Sequence, residues 1–161
     1  MAHDAPRVEI RLATRQDIPA VAAVLLAAFA EYEPLYTPGG FAATTPTSAQ
    51  IQVRFDEGPV WIALLNEAIV GTVAAVLRDD QTVYVRSMAV LPAARGYDIG
   101  GSLLGAVERF AAEHGARRLL LSTTPFLDRA IRLYERSGFQ RSDEGPNDLS
   151  GTPLFTMTKP I

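Results

Sequence analysis

A chain of 161 residues, 48% apolar and 20% charged, is long enough to bury one sizeable core and has the composition of an ordinary soluble domain. A formal net charge of −3 speaks against nucleic acid as a partner, and the absence of cysteine removes disulfides and thiolate chemistry. Two histidines, with no carboxylates clustered at ligand spacing, argue against a metal site.

Residues 1–6 read as disordered, without a basic-then-apolar leader, and a cytoplasmic location is expected. Residues 8–12 alternate as a short strand. Thr14 and Asp17 have the spacing of a capping box and start a helix at Arg15, with Ile18, Val21, Leu25 and Tyr32 on its apolar face. Glu33-Pro34 ends that helix. Its apolar stretch, 18–30, is too short and too amphipathic to cross a membrane. Residues 35–47, rich in proline and glycine, read as a loop, and 48–56 as a short helix.

From Val60 the period becomes that of strands: 60–65, then 69–77 with Gly71 at a bulge, then 82–90. Trp61 belongs to the core on this pattern. A helix over 99–114 places Ile99, Leu103, Val107 and Phe110 on one side, and Gly115 stops it. The helix dipole accounts for His114 at its end. Residues 119–122 form a short apolar strand, buried and parallel to a neighbour. Ser122-Thr123-Thr124 has no histidine and acid around it to make a triad. A helix over 127–137 carries Leu127, Ile131 and Tyr134 on one face and closes at Gly138. Two last strands, from Phe139 onward and over 153–158, flank a loop rich in Gly, Asn and Asp. The order β-α-(α)-β-β-β-α-β-α-β-β describes a single mixed α/β domain over 1–161.

Residues 83–104 stand out within that order. A strand feeds a helix through a proline turn and a glycine-rich bend, which leaves main-chain N–H groups pointing out of the helix start. Such a bend suits a phosphate or pyrophosphate. The spacing of Gly96, Gly100 and Gly101 is not that of a dinucleotide-binding fingerprint.

Val90-x-Pro92-x-x-Arg95-Gly96-x-x-Ile99-Gly100-x-x-Leu103-Leu104 resembles the acetyl-CoA-binding motif of the GNAT family of N-acetyltransferases. The run from Ala130 through Tyr134 to Phe139 is similar to that family's second signature, and the closing segment from Pro153 to Lys159 to its last strand. The resemblance implies a mostly antiparallel central sheet flanked by helices. It also implies acetyl-CoA as co-substrate and a primary amine, of a small molecule or a protein, as acceptor. Arg95, Gly96, Tyr97, Asp98, Gly100 and Gly101 would then hold the pyrophosphate, and the backbone of Met88 and Val90 the pantetheine arm. Tyr134 would be the general acid for the departing thiolate. Residues 35–56 would choose the acceptor, and a homodimer is a common assembly for such a chain.

Three positions depart from the family pattern. Asp98 stands where a glycine is usual, either as the side-chain cap of the following helix, occupying the phosphate donors, or turned out to solvent. The capping alternative would make the chain a degenerate, regulatory binding module with weakened cofactor binding. Leu127 replaces an asparagine that contacts the pantetheine arm. Arg86 and Ser87 take the place of an acidic residue on the central strand. Arg86 either meets a substrate carboxylate or balances Asp79 or Asp80. The base for the amine is then Glu31, Glu33 or a chain of waters.

Overall fold

The computed structural model describes residues 6–161; the reading of 1–5 as disordered lies outside the described residues. Seven strands form one sheet in the order β1-β2-β3-β4-β5-β9-β6. They are β1 (Val8–Leu12), β2 (Val60–Leu65), β3 (Ala68–Leu77), β4 (Thr82–Val90), β5 (Arg118–Thr123), β6 (Gln140–Ser142) and β9 (Phe155–Pro160). Every pairing is antiparallel except β4 with β5.

The strands carry apolar residues on both faces because each face is covered. Along β2, Trp61 and Ala63 join the core under α4 (Ile99–Glu113), while Ile62 points into the core under α1 (Ile18–Phe29). Helix α4 contributes Leu103, Leu104 and Val107, all fully buried. Burial of each such side chain contributes about 1.5–3 kcal/mol relative to exposure. Phe110 adds an edge-on contact with Trp61 at 5.7 Å between centroids. On the opposite face α1 packs Val21, Val24 and Leu25 together with Ile51 of α3 (Ser48–Phe55).

The start of α1 uses the expected signal in part. The Asp17 carboxylate accepts from the Thr14 N–H at 2.7 Å, but the chain first makes a 3-10 turn, Arg15–Asp17, before Ile18. After Phe29 it tightens again into a 3-10 segment, Ala30–Leu35, that takes in Pro34. The helical run from Arg15 to Leu35 is thus 21 residues long, with a mean hydropathy of 1.5 in its most apolar window. By length and composition it could span a bilayer, contrary to the sequence expectation; here its inner face is spent on β3 and β4.

The loop expected over 35–47 contains a helix, α2 (Pro38–Thr44). Thr37 caps it, accepting from the Gly40 N–H at 3.0 Å, and Pro38 occupies the first helical position. Two short strands, β7 (Asp148–Leu149) and β8 (Thr152–Pro153), pair with each other inside the loop before β9. The expected bulge at Gly71 lies one residue earlier, with Val70 as the extra residue opposite Ala63 and Leu64. A second bulge, on β4, sets Ser87 and Met88 against Val73 alone.

Candidate active site

Strands β4 and β5 are in register from Thr82 with Arg118 to Val85 with Leu121, and there the pairing stops. Both strands continue, β4 to Val90 and β5 to Thr123. The β4 bulge, with Ser87 at φ 56°, falls just past the last pair and turns the strand away from its neighbour. A cleft of about 830 Å³ opens between them. Its sides include Arg86, Met88 and Val90 on β4 and Ser122 and Thr123 on β5. The hydroxyls of Ser122 and Thr123 are buried without a hydrogen-bond partner among the described residues.

At its far end β4 leads through the turn Pro92–Ala94 into the bend before α4. No main-chain N–H from Gly96 to Gly101 donates to an acceptor among the described residues, and the α4 ladder begins with Ser102 N–H to Asp98 carbonyl at 3.1 Å. Gly96 has φ 96°, a conformation that glycine alone takes without steric cost. The bend is therefore a set of free donors at the positive end of a 15-residue helix.

Asp98 does not cap that helix. Its backbone is left-handed, at φ 54° and ψ 35°, and its carboxylate accepts no capping bond. The position demands a left-handed residue, which explains a glycine there, and aspartate is one of the few others that tolerate it. A Cβ added to Gly101 would stand 2.4 Å from Asp98 Oδ1, so the carboxylate lies close against that glycine without hydrogen bonding to the N–H groups. The N–H groups of the bend are free of a side-chain cap, and the objection based on capping falls away.

Tyr134, on α5 (Asp128–Arg136), is only 6% exposed, packs on Phe139 and lines the cleft. Burial pushes its phenol well above the ordinary tyrosine value, so it is protonated throughout the neutral range. Leu127, just before α5, also lines the cleft and offers an apolar surface where an amide would donate.

The remaining predicted residues divide. Arg95 lines the cleft, but its guanidinium is paired with Glu31 at 2.6 Å. Tyr97 is exposed and is not among the cleft-lining residues. Glu31 and Glu33 sit on the 3-10 segment after α1, and neither is among the cleft-lining residues. Arg86 pairs with neither Asp79 nor Asp80; it meets Glu57 at 3.0 Å. The structure adds Arg54, at the end of α3, whose guanidinium donates to the Ser87 hydroxyl. Its spacing of three from the buried Ile51 was the available signal, since that offset puts both on one helix face.

Charge sums up the cleft. Its lining holds six arginines (54, 86, 95, 129, 132 and 136) against one carboxylate, Asp98, in a chain whose net charge is −3. A positive cleft in a negative protein concentrates anionic ligands.

Known proteins resemble this chain in sequence and in fold. The family described as "Acetyltransferase (GNAT) family" matches residues 25–139. "Uncharacterized N-acetyltransferase YjgM" of Escherichia coli is 32% identical over 139 residues, 83% of each chain. "N-acetylaspartate synthetase" of Danio rerio is 40% identical over 85 residues, 52% of this chain but only 30% of that protein. Among solved structures, the PaiA N-acetyltransferase of Thermoplasma acidophilum in complex with coenzyme A superposes with a TM-score of 0.82. It covers 96% of this chain and 99% of its own at 14% identity, a likeness of fold.

Proposed function

This chain belongs to the GNAT family of acetyltransferases, and from that premise we propose that it moves an acetyl group from acetyl-CoA to a primary amine by direct attack. The observation that carries the reading is the open edge of β4, which runs into a bend of free N–H donors and faces Tyr134 across one cleft. Acetyl-CoA, when bound, supplies an acetyl thioester.

The N–H groups from Gly96 to Gly101 would hold its pyrophosphate, and the exposed arginines of α5 would add charge nearby. The unpaired edge of β4 at Met88 and Val90 would take the arm as an added strand. A main-chain N–H in that stretch would polarise the reacting carbonyl. Tyr134, kept protonated by burial, would donate its proton to the departing sulfur. The cleft holds no carboxylate of its own near Met88, which supports loss of the ammonium proton to water at the open mouth. Neighbouring guanidinium charges favour the neutral amine that attacks. The product named for the zebrafish relative is said of that protein, which this chain matches over less than a third of its length. It is in keeping with an amine acceptor here.

The test follows CoA thiol release across a panel of amines. Tyr134→Phe should lower kcat by about 100-fold while calorimetric affinity for acetyl-CoA is retained. An unaltered rate would remove Tyr134 from the mechanism, and no heat with millimolar acetyl-CoA would sink the transfer reading itself.

A further inference from the structure

Two arginines meet at one end of the cleft without enough negative charge between them. Arg54 comes from the last turn of α3 and Arg86 from β4 just before the bulge. Arg54 donates to the Ser87 hydroxyl and has no carboxylate partner among the described residues. Arg86 gives one terminal nitrogen to Glu57, while its Nε is buried with no acceptor among the described residues. Burial and the charge of Arg86 together hold the Arg54 guanidinium below its usual value, the sign of a cation left short of a counter-ion.

Their place along the strand matters. β4 runs from Arg86 past Met88 and Val90 toward the bend, so roughly 13 Å of strand separates Arg86 from the phosphate end. The pair therefore lies on the far side of the reacting position from the pyrophosphate site. A guanidinium presents two parallel N–H groups that match a carboxylate, and a buried Nε–H without an acceptor is an unfilled donor of that kind.

We propose that Arg54 and Arg86 form a carboxylate subsite, so that the acceptor is a small amine bearing a carboxylate: an amino acid or a close analogue. This rests on the acetyl-transfer reading above. Ser87 is a positioning residue here, since its left-handed backbone turns the hydroxyl to hold the Arg54 guanidinium. Glu57, 44% exposed, is a rim counter-ion that competes with the substrate for Arg86.

Two measurements test it. In the first, CoA release is compared for L-glutamate, L-methionine and glycine against their carboxamides. Wild type should prefer the acids. Arg54→Gln and Arg86→Gln should each raise KM for the acids by about 10- to 100-fold, bringing the acid-to-amide ratio of kcat/KM toward one. Arg54→Lys should recover part of that preference, and Glu57→Gln should increase it. Calorimetric affinity for acetyl-CoA should hold in all variants. Amides used as well as acids by wild type would overturn the proposal. So would a loss of acetyl-CoA affinity equal to the loss of acid preference, which would give the arginines to the cofactor.

The second measurement is independent of turnover. Titration with succinate, against neutral succinamide, should show binding in wild type that both glutamine variants lose. If no amine is acetylated but succinate still binds through these arginines, the transfer reading fails and the subsite stands. If amines are acetylated and succinate binding is absent or unaffected by either substitution, the subsite fails and the transfer reading stands.

Discussion

Asp98 concentrates the physics of the proposed phosphate site in one residue. Its left-handed backbone costs an ordinary L-residue roughly 1–2 kcal/mol, less for aspartate, whose short side chain suits that region. Asp98→Gly removes that cost but gives the unfolded chain more freedom, worth about 0.5–1 kcal/mol, so the two nearly cancel. The urea midpoint should therefore barely move. Affinity for acetyl-CoA should rise, by about 3- to 10-fold at low salt, because a carboxylate beside the phosphate donors is gone; the gain should shrink as salt is added. Calorimetry at two salt concentrations measures both. Asp98→Ala separates the effects: it deletes the charge and keeps the strain, and should lower stability by about 1 kcal/mol. An affinity unchanged in both variants would mean that the carboxylate stays clear of the phosphates.

At the scale of elements, α2 and the small β7–β8 ribbon contribute Ala43, Thr44 and Leu149 to the cleft lining, beside Tyr36 just before α2. One hydroxyl pair locks them together. Thr37 Oγ1 donates to the Ser150 carbonyl at 2.7 Å, so in its 3.0 Å contact with Thr152 the Thr152 hydroxyl must be the donor. The Thr37 N–H returns a bond to Thr152 at 3.0 Å. Gly40 packs directly on this lock, since a Cβ there would stand 2.2 Å from Thr152 Oγ1. Gly40→Ala should cost about 1–3 kcal/mol in thermal or urea unfolding. It should also lower kcat/KM for the acceptor while acetyl-CoA affinity holds, which initial-rate kinetics at saturating acetyl-CoA would register.

That wall was the least legible part of the sequence. Pro38-Gly39-Gly40 reads as a breaker, and contacts with residues more than a hundred positions away help to hold the helix it starts. The Thr37-Pro38 pair, a cap followed by proline at the first helical position, was the local clue. Strands β2 to β5 and helices α4 and α5 were readable because each has a covered apolar face with a clear period. The bulge at Ser87 and the left-handed Asp98 were not, since both are conformations imposed by neighbours on residues that permit many. The glycine-rich bend and Tyr134 were singled out by motif, whereas Arg54 needed the fold to bring α3 over β4.

For the whole molecule, acid sensitivity follows from carboxylates held by arginines at distant points. Asp17 accepts from Arg11 at 2.9 Å and from the Thr14 N–H, and Arg11 foremost holds its pKa below the ordinary aspartate range. Glu144 is lowered in the same way by Arg118 at 2.7 Å. Because the folded values are the lower ones, their contribution is present above the unfolded value of about 4 and disappears as pH falls through and below it. The urea midpoint should drop between about pH 5 and pH 3. Asp17→Asn should be less stable at pH 7 and lose less over that range, so its curve should converge with wild type in acid.

The last pair of β4 with β5, Val85 opposite Leu121, also divides the sheet. Four strands, β1 to β4, hold together on one side, and β5, β9 and β6 on the other, with four residue pairs stitching the halves. A ligand lying along the free edge of β4 would be a further stitch across that seam. Amides at Met88 and Val90 should then exchange hydrogen quickly in the free protein and slowly with acetyl-CoA, while those of Ile62 and Leu103 in the two cores change little. At a hundredfold excess over its Kd the ligand would add about 2.7 kcal/mol to global stability. The protein would thus reach its full rigidity only while it is charged for reaction, and each release of product would loosen the seam through which the next substrate enters.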